Sequence, residues 1–215
     1  MGKSVVVFGL GQFGRSLALS LSEAGADVMA VDKDEELVES IAEDVTEAKV
    51  ADLENADAIK ELGIGNMDVA VVAIASNLTA SILSVVISKE EGIPYVVAKC
   101  SNERMGTILQ KTGADRIIYP EAEMGARAAR VLTSNDFLEF FNIDENLCVV
   151  EMKPRKEWIG KSLKQLDLRK KYNINVAAVR SHHELHSSFD PDRPLKENSN
   201  LLIVVEKKNL KNLDR

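Results

Sequence analysis

The sequence has little cysteine, no membrane-length apolar run and no surplus of basic residues. Its two cysteines, Cys100 and Cys148, are too few for a disulfide framework and too far apart for a metal knuckle, so we expect buried thiols in a reducing compartment. The net charge of −7 argues against a nucleic-acid partner. No apolar segment reaches membrane-spanning length. Because Met1-Gly2-Lys3 leads straight into the first predicted strand, we expect neither a signal peptide nor direct membrane insertion.

Motifs of catalysis are missing as well. No nucleophile elbow, H-E-x-x-H motif or paired cysteine ligands occur. Tyr95 and Lys99 have the Y-x-x-x-K spacing of short-chain dehydrogenases, but their neighbours predict a strand, on which the two side chains would stand about 13 Å apart. His182, His183 and His186 cluster in a polar segment that we interpret as a solvated loop, with a metal site as the less favoured alternative. The residues alone therefore predict a protein without enzymatic activity.

An apolar strand followed by a glycine-rich turn, VVVFGLGQFG at residues 5–14, organises the chain. Gly9 permits the tight turn, Gly11 lets a pyrophosphate approach the backbone, and Gly14 lets the next helix pack closely on the sheet. The start of that helix offers unpaired N–H groups to phosphates. Asp32 follows the second strand, where a carboxylate can accept hydrogen bonds from ribose hydroxyls. These features predict nucleotide binding, and the alternative is a glycine turn used for packing.

Strands and helices alternate strictly over the first half of the chain. The predicted strands are residues 4–9, 27–31, 47–51, 68–74, 95–99 and 116–119. The predicted helices are residues 12–23, 34–43, 55–62, 77–90 and 102–111. Short connections and right-handed crossovers then give an α/β fold, a Rossmann-type doubly wound parallel sheet with strand order 3-2-1-4-5-6. The ligand belongs where this order reverses, at the C-terminal ends of strands one and four.

Three further strand ends should face the same crevice. Asp52 ends the third strand, Ala75-Ser76-Asn77 form the turn after the fourth, and Lys99 ends the fifth. The alternatives are a solvated carboxylate for Asp52, a helix cap for Asn77 and a surface lysine for Lys99. The complete predicted nucleotide set is Gly9, Gly11, Gln12, Phe13, Gly14, Asp32, Lys33, Asp52, Leu53, Ala75, Ser76, Asn77 and Lys99.

The character of the chain changes after Pro120. Residues 121–141 predict one long helix or a broken pair, which ends in Phe137, Phe140 and Phe141. We expect these aromatic residues to form a subunit interface, and packing within the chain is the alternative. The rest predicts a small α+β domain whose core is marginal without dimerisation. The predicted divisions are a nucleotide-binding domain at 1–120, a crossover and dimerisation segment at 121–143, and a regulatory domain at 144–215.

Five segments resemble the regulatory subunits of bacterial Ktr and Trk potassium-uptake systems, which are built of domains regulating potassium conductance. They are residues 7–14, 31–32, 72–77, 108–121 with 124–125, and 166–176. The Ktr type is closer, because this chain has one such unit and not two in tandem. The resemblance implies a cytoplasmic subunit that senses nucleotide and gates a membrane potassium transporter, which holds it at the inner face of the cell membrane. It also implies homodimers that assemble into an octameric ring.

The resemblance assigns ligands to particular residues. It implies ATP or ADP in the Rossmann cleft, with Asp32 at the ribose, Asp52 near the adenine, and Ser76, Asn77 and Lys99 beside the phosphates. It implies Mg²⁺ or another divalent cation at Glu121, for which the alternative is stabilisation of a helix N-terminus.

The resemblance also implies a second ligand and shows one departure. Cyclic di-AMP would bind the small domain at Arg169, Asn175 and Val176. Ktr-type subunits commonly carry arginine where this chain has Gln12, and an amide cannot supply the charge-assisted contact of a guanidinium to a terminal phosphate. NAD(H) therefore competes with ATP and ADP as the expected ligand. The alternative function is that of a small NAD-dependent oxidoreductase.

Overall fold

The computed structural model describes residues 2–74, 76–134, 136–182 and 184–213. The chain divides into two compact units, one ending at Ala122 and the other beginning at Glu123. None of the helices in the described ranges is long and apolar enough to cross a membrane.

The first unit contains a six-stranded parallel sheet in the order β3-β2-β1-β4-β5-β6, which confirms the predicted Rossmann topology. Its strands are β1 (Ser4–Phe8), β2 (Asp27–Asp32), β3 (Glu47–Val50), β4 (Val69–Val72), β5 (Tyr95–Lys99) and β6 (Arg116–Ile118). Its helices are α1 (Gln12–Glu23), α2 (Glu35–Glu39), α3 (Ala56–Glu61), α4 (Leu78–Glu90) and α5 (Glu103–Lys111), with a 3-10 turn at Ile64–Asn66. Because β5 is a strand, Tyr95 and Lys99 are not a helical catalytic pair.

Strand β1 lies between two apolar layers, which explains its unbroken run of valines. Val6 and Phe8 belong to a core cluster on one side of the sheet, and Val5 and Val7 belong to the cluster on the other side. A parallel strand covered on both faces reads as continuously hydrophobic. Since β2 and β4 flank β1 on opposite sides, the crevice forms at the C-terminal ends of β1 and β4.

The second unit is built on a five-stranded antiparallel sheet in the order β10-β9-β11-β8-β7. Helix α6 (Pro120–Thr133) leads into it from the first unit. The other elements are β7 (Phe137–Asn142), β8 (Leu147–Met152), α7 (Leu163–Leu166), α8 (Leu168–Tyr172), β9 (Ile174–Ser181), β10 (Glu184–His186) and β11 (Asn200–Glu206), with 3-10 helices at Lys156–Trp158 and Lys207–Asn212. Trp158, Phe140, Met152 and Leu201 lie fully buried in its core.

The prediction of a helix over residues 121–141 is wrong beyond Thr133. Phe137–Asn142 forms strand β7, which pairs antiparallel with β8. Phe137 and Phe140 are buried in the core of the second unit, so the expectation that they form a subunit interface is wrong as well. Aromatic residues favour strands, where they pack on a half-buried surface. Phe141, at 41% exposure, remains on the outside.

The histidine segment also differs from its prediction as a loop. Strand β10 includes His186 and pairs with β9 in a hairpin, with His186 opposite Val179. His182 lies in the turn with a positive φ of 51°. His183 lies outside the described residues.

Both cysteines are buried and unpaired, as predicted. Burial raises the pKa of the Cys100 thiol and that of the Cys148 thiol. Such thiols are poor nucleophiles at neutral pH.

Candidate functional site: the cleft at the ends of β1 and β4

The glycine loop between β1 and α1 has the geometry that its sequence predicts. Gly9 has a φ of +94°, and its N–H donates to the Val31 carbonyl at 2.8 Å. A Cβ on Gly14 would lie 1.8 Å from the Gly9 carbonyl oxygen, so the helix packs too closely on the loop for any side chain there. At Gly11 the position of a Cβ has no heavy atom within 4 Å. The loop therefore leaves open space beside the backbone at Gly11.

The N-terminus of α1 faces this space without a side-chain cap. Gly11 is the N-cap residue and supplies no side-chain hydrogen bond. The first N–H groups of a helix lack partners within the helix, and together with the helix dipole they attract anions. Gln12 is exposed and Phe13 half-buried, and both line the cleft. This is an arrangement suited to a phosphate group.

Asp32, at the end of β2, is hydrogen-bonded to the glycine loop. Its Oδ2 accepts a hydrogen bond from the Leu10 N–H at 2.6 Å, and its Oδ1 accepts one from the Asp34 N–H at 3.0 Å. Each carboxylate oxygen has a further lone pair for a ligand hydroxyl. Asp32 and its exposed neighbour Lys33 both line the cleft.

The opposite side of the cleft comes from the loops after β3 and β4. Asp52 Oδ1 accepts from the Glu54 N–H at 3.0 Å, and Leu53 beside it is buried. Asn77 Oδ1 accepts from the Ala80 N–H at 3.0 Å, so this residue does cap α4. Its Nδ2 donates to Glu54 Oε1 at 2.5 Å, which links the two loops. Asn77 is therefore a cap that also lines the cleft, together with Ser76.

Lys99 and Glu121 meet at the end of β5. Lys99 is 6% exposed, so it is not the surface lysine of the alternative interpretation. Its Nζ lies 2.5 Å from Glu121 Oε1 and 5.5 Å from the centre of the Phe13 ring. The Lys99 ammonium, through this hydrogen bond, lowers the pKa of the Glu121 carboxyl. Glu121 is the second residue of α6.

These side chains enclose a cleft of about 460 Å³. Of the residues in the predicted nucleotide set, all but two line it: Gly14 lies behind the loop, and Ala75 lies outside the described residues. Residues that the sequence reasoning missed are Leu37, Glu54, Ala73, Ile74 and Ala80. Glu54 lies two residues beyond the predicted strand end at Asp52, and that spacing is a signal that could have identified it.

The charged lining of the cleft is mostly acidic. Its carboxylates are Asp32, Asp52, Glu54 and Glu121, and its lysines are Lys33 and Lys99. In the part of the chain that the structure describes, no three His, Cys, Asp or Glu side chains are grouped to hold a metal ion. A Mg²⁺ ion at Glu121 would therefore need ligand phosphates and waters to complete its coordination, which is how Mg²⁺ is commonly held.

The residues assigned to a second ligand belong to the second unit. Arg169 is exposed on α8, while Asn175 and Val176 lie near the start of β9. The turn between α8 and β9 passes through Asn173, whose φ is 55°. A separate cavity of about 290 Å³ in this unit is lined by other residues, His182 and His186 among them.

Comparison with known proteins identifies the family. The TrkA-N domain matches residues 5–120, and the TrkA-C domain matches residues 149–215. The Ktr system potassium uptake protein C of Bacillus subtilis is 38% identical over 185 residues, which are 86% of this chain and 84% of that protein. The chain belongs to the Ktr family of potassium uptake proteins. Potassium uptake protein A of the same organism is 34% identical over 99% of this chain and 96% of its own length.

Membership of the Ktr family supports a regulatory role in potassium uptake with a membrane transporter as partner. The named relatives are potassium uptake proteins and not enzymes, so the oxidoreductase alternative is wrong. A solved structure of the GsuK channel bound to NAD has the same fold, with a TM-score of 0.68 at 14% identity. The comparison covers 98% of this chain but 38% of that channel's length.

Proposed function

We propose that this Ktr-family chain is a nucleotide-sensing regulatory subunit that gates a membrane potassium-uptake transporter. The observation that carries the proposal is the cleft between β1 and β4, where open space at Gly11 meets an uncapped helix N-terminus. A ligand held there changes the protein by binding one conformation more tightly than another. The transporter then responds to the favoured conformation.

The proposed ligand is an adenine nucleotide, ATP or ADP, with NAD(H) as its competitor. Backbone N–H groups at Gln12 and Phe13 would bind phosphate, Asp32 the ribose hydroxyls, and Lys99 a phosphate oxygen. Gln12 supplies no charge to a terminal phosphate, which reduces any preference for ATP over ADP. The NAD-bound GsuK channel supports a dinucleotide as the alternative in a cleft of this fold. A divalent cation at Glu121 would screen the acidic lining against the ligand's phosphates.

The proposed assembly is a homodimer that builds an octameric ring at the inner face of the cell membrane. Helix α6 has no buried residue in the single chain. Met124 is 56% exposed and Leu132 is 83% exposed. Burial of exposed apolar side chains against a second copy of the chain is favourable, because it removes apolar surface from water. The transporter partner binds the ring, and the chain itself does not enter the membrane.

A second ligand, cyclic di-AMP, is proposed for the small domain. Arg169 is a cation beside the tight turn that leads into β9, where Asn175 offers an amide and Val176 an apolar side chain. Such a set can contact phosphate and base. Titration of the purified chain with cyclic di-AMP tests it: Arg169→Ala should weaken binding at least tenfold, while Lys208→Ala should leave it unchanged. Equal binding by both variants would contradict the assignment.

The gating proposal is tested by potassium uptake in cells that lack other uptake systems. The cells express a Ktr-type membrane subunit alone, with the wild-type chain, or with the Gly11→Ala variant, which fills the open space beside the loop. We expect the wild-type chain to change the uptake rate and the variant to lose that change while it is still expressed and folded. An uptake rate that is the same with and without the chain would contradict the proposed function.

A further inference from the structure

The buried cation of the cleft already has a partner within the chain. Lys99 is 6% exposed, and its Nζ lies 2.5 Å from Glu121 Oε1. The same Nζ lies 5.5 Å from the centre of the Phe13 ring. Burying an ammonium group without hydrogen-bond acceptors is unfavourable in free energy. Glu121 supplies such an acceptor to Lys99, and a ligand phosphate could supply it instead.

From this contact we propose that Glu121 acts as a built-in competitor for the ligand's phosphate. It pairs with Lys99 and has to release it when a phosphate binds there. This inference rests on the proposed nucleotide site and adds a determinant of its affinity. Simultaneous binding of both anions to Lys99 is unfavourable, because the Glu121 carboxylate repels the phosphate. The lining of the cleft is already acidic, which adds to this repulsion.

The exchange gives the cleft two states that differ at the start of α6. Glu121 is 67% exposed and lies in the first turn of that helix, so it can leave Lys99 by rotating into solvent. The apparent affinity for ligand is reduced by the fraction of molecules in which Lys99 is already paired. Ligand binding therefore frees a carboxylate in the helix that leads into the second unit.

Competition with phosphate predicts that Glu121→Gln raises nucleotide affinity, whereas a role as a cation ligand predicts that it does not. Without divalent cations, Glu121→Gln removes the competitor and should tighten nucleotide binding. If Glu121 contributed to the site only as a cation ligand, the substitution would leave binding unchanged in the absence of cations and weaken it when Mg²⁺ is present. Measurement in EDTA therefore isolates the competition with phosphate.

The test is calorimetric titration of the full chain with ADP in EDTA buffer. We expect Glu121→Gln to bind about threefold to tenfold more tightly than wild type, and Lys99→Met to bind at least tenfold more weakly. The matched control is Glu123→Gln, which removes the same charge from an exposed position of α6; its affinity should equal that of wild type. Thermal melting of each variant confirms that it is folded.

The outcomes separate this inference from the proposed function. If wild type binds ADP and Glu121→Gln binds it equally or more weakly in EDTA, the competition proposal is wrong and the nucleotide site stands. An equal gain for Glu123→Gln would also overturn it, because the effect would then be one of net charge. If the wild-type chain binds neither ADP, ATP nor NADH, the proposed function fails and the inference fails with it.

Discussion

At the residue scale, the three glycines of the loop have three different structural roles. Gly9 adopts a positive φ, Gly14 has no room for a Cβ, and Gly11 borders open space. Their spacing was enough to predict these roles, because the turn out of a parallel strand constrains each position separately. The partner of Asn77 could not be predicted in this way, since Glu54 reaches it from a loop 23 residues earlier in the chain.

The same substitution should therefore have different effects at two of these glycines. Gly14→Ala forces a Cβ against backbone, so we expect it to lower the free energy of unfolding of the first unit by about 1–3 kcal/mol. Gly11→Ala should leave that stability within about 0.5 kcal/mol of wild type but weaken nucleotide binding. Circular dichroism during denaturation and nucleotide titration measure the two effects. Wild-type stability in Gly14→Ala would contradict the packing seen at the loop.

At the element scale, β7 shows where pattern reasoning failed. Phe137, Phe140 and Phe141 follow an alanine-rich helix, and their spacing of three and four also fits a helical face. The competing signal was the β-propensity of the aromatic residues, with the break at Thr133 between the two patterns. What decides is antiparallel pairing with β8 across a short turn, together with burial of Phe137 and Phe140 in the core of the second unit. The β-α alternation of the first unit was predictable because strands β1, β2, β4 and β5 contain apolar runs and helices α2 to α5 each begin at an Asp or Asn cap.

A polar row across three strands of the second sheet is a further element-level feature. Glu151 on β8 is buried and receives two hydrogen bonds from Arg180 on β9, at 2.7 and 3.0 Å. Asn200, on the strand between them, donates to the same carboxylate at 3.4 Å. The hydrogen bonds from Arg180 lower the pKa of Glu151. Since the folded-state pKa is below the unfolded one, the stabilisation is present at neutral pH and is lost as the pH falls through the folded value.

We therefore expect the second unit to lose stability as the pH falls below about 4.3, the ordinary value for glutamate. Glu151→Gln should be less stable by about 1–3 kcal/mol at pH 7 and should lose less on acidification. The sequence has one tryptophan, Trp158, which is buried in this unit, so its fluorescence reports the unfolding. The control is Glu197→Gln, an exposed carboxylate of the same unit. An unchanged acid slope in Glu151→Gln would contradict the assigned role.

At the scale of the whole molecule, the sequence predicted two domains and their fold classes but placed the dimer surface on the wrong residues. Two of the phenylalanines chosen for it complete the core of the second unit. The apolar side chains that remain uncovered on α6 are Met124 and Leu132. Amphipathic pattern alone could not separate the two sets, because both fall within the predicted helix at residues 121–141, and only the folded sheet shows which set is already buried.

Charge on α6 should therefore dissociate the proposed homodimer. We expect Leu132→Asp to shift the sedimentation coefficient toward that of a monomer, because burying an unpaired carboxylate at an interface is unfavourable. Leu185→Asp, at an exposed position of β10, is the matched control and should sediment as wild type does. A Leu132→Asp variant that retains the wild-type assembly would place the interface elsewhere.

The central claim is that a nucleotide binds the cleft between β1 and β4, and calorimetric titration with ATP, ADP and NADH, with and without Mg²⁺, tests it most directly. We predict micromolar binding of at least one of the three, with ATP and ADP close in affinity because of Gln12, and marked weakening in Gly11→Ala. Absence of binding by all three, or binding that Gly11→Ala leaves unchanged, would contradict the claim.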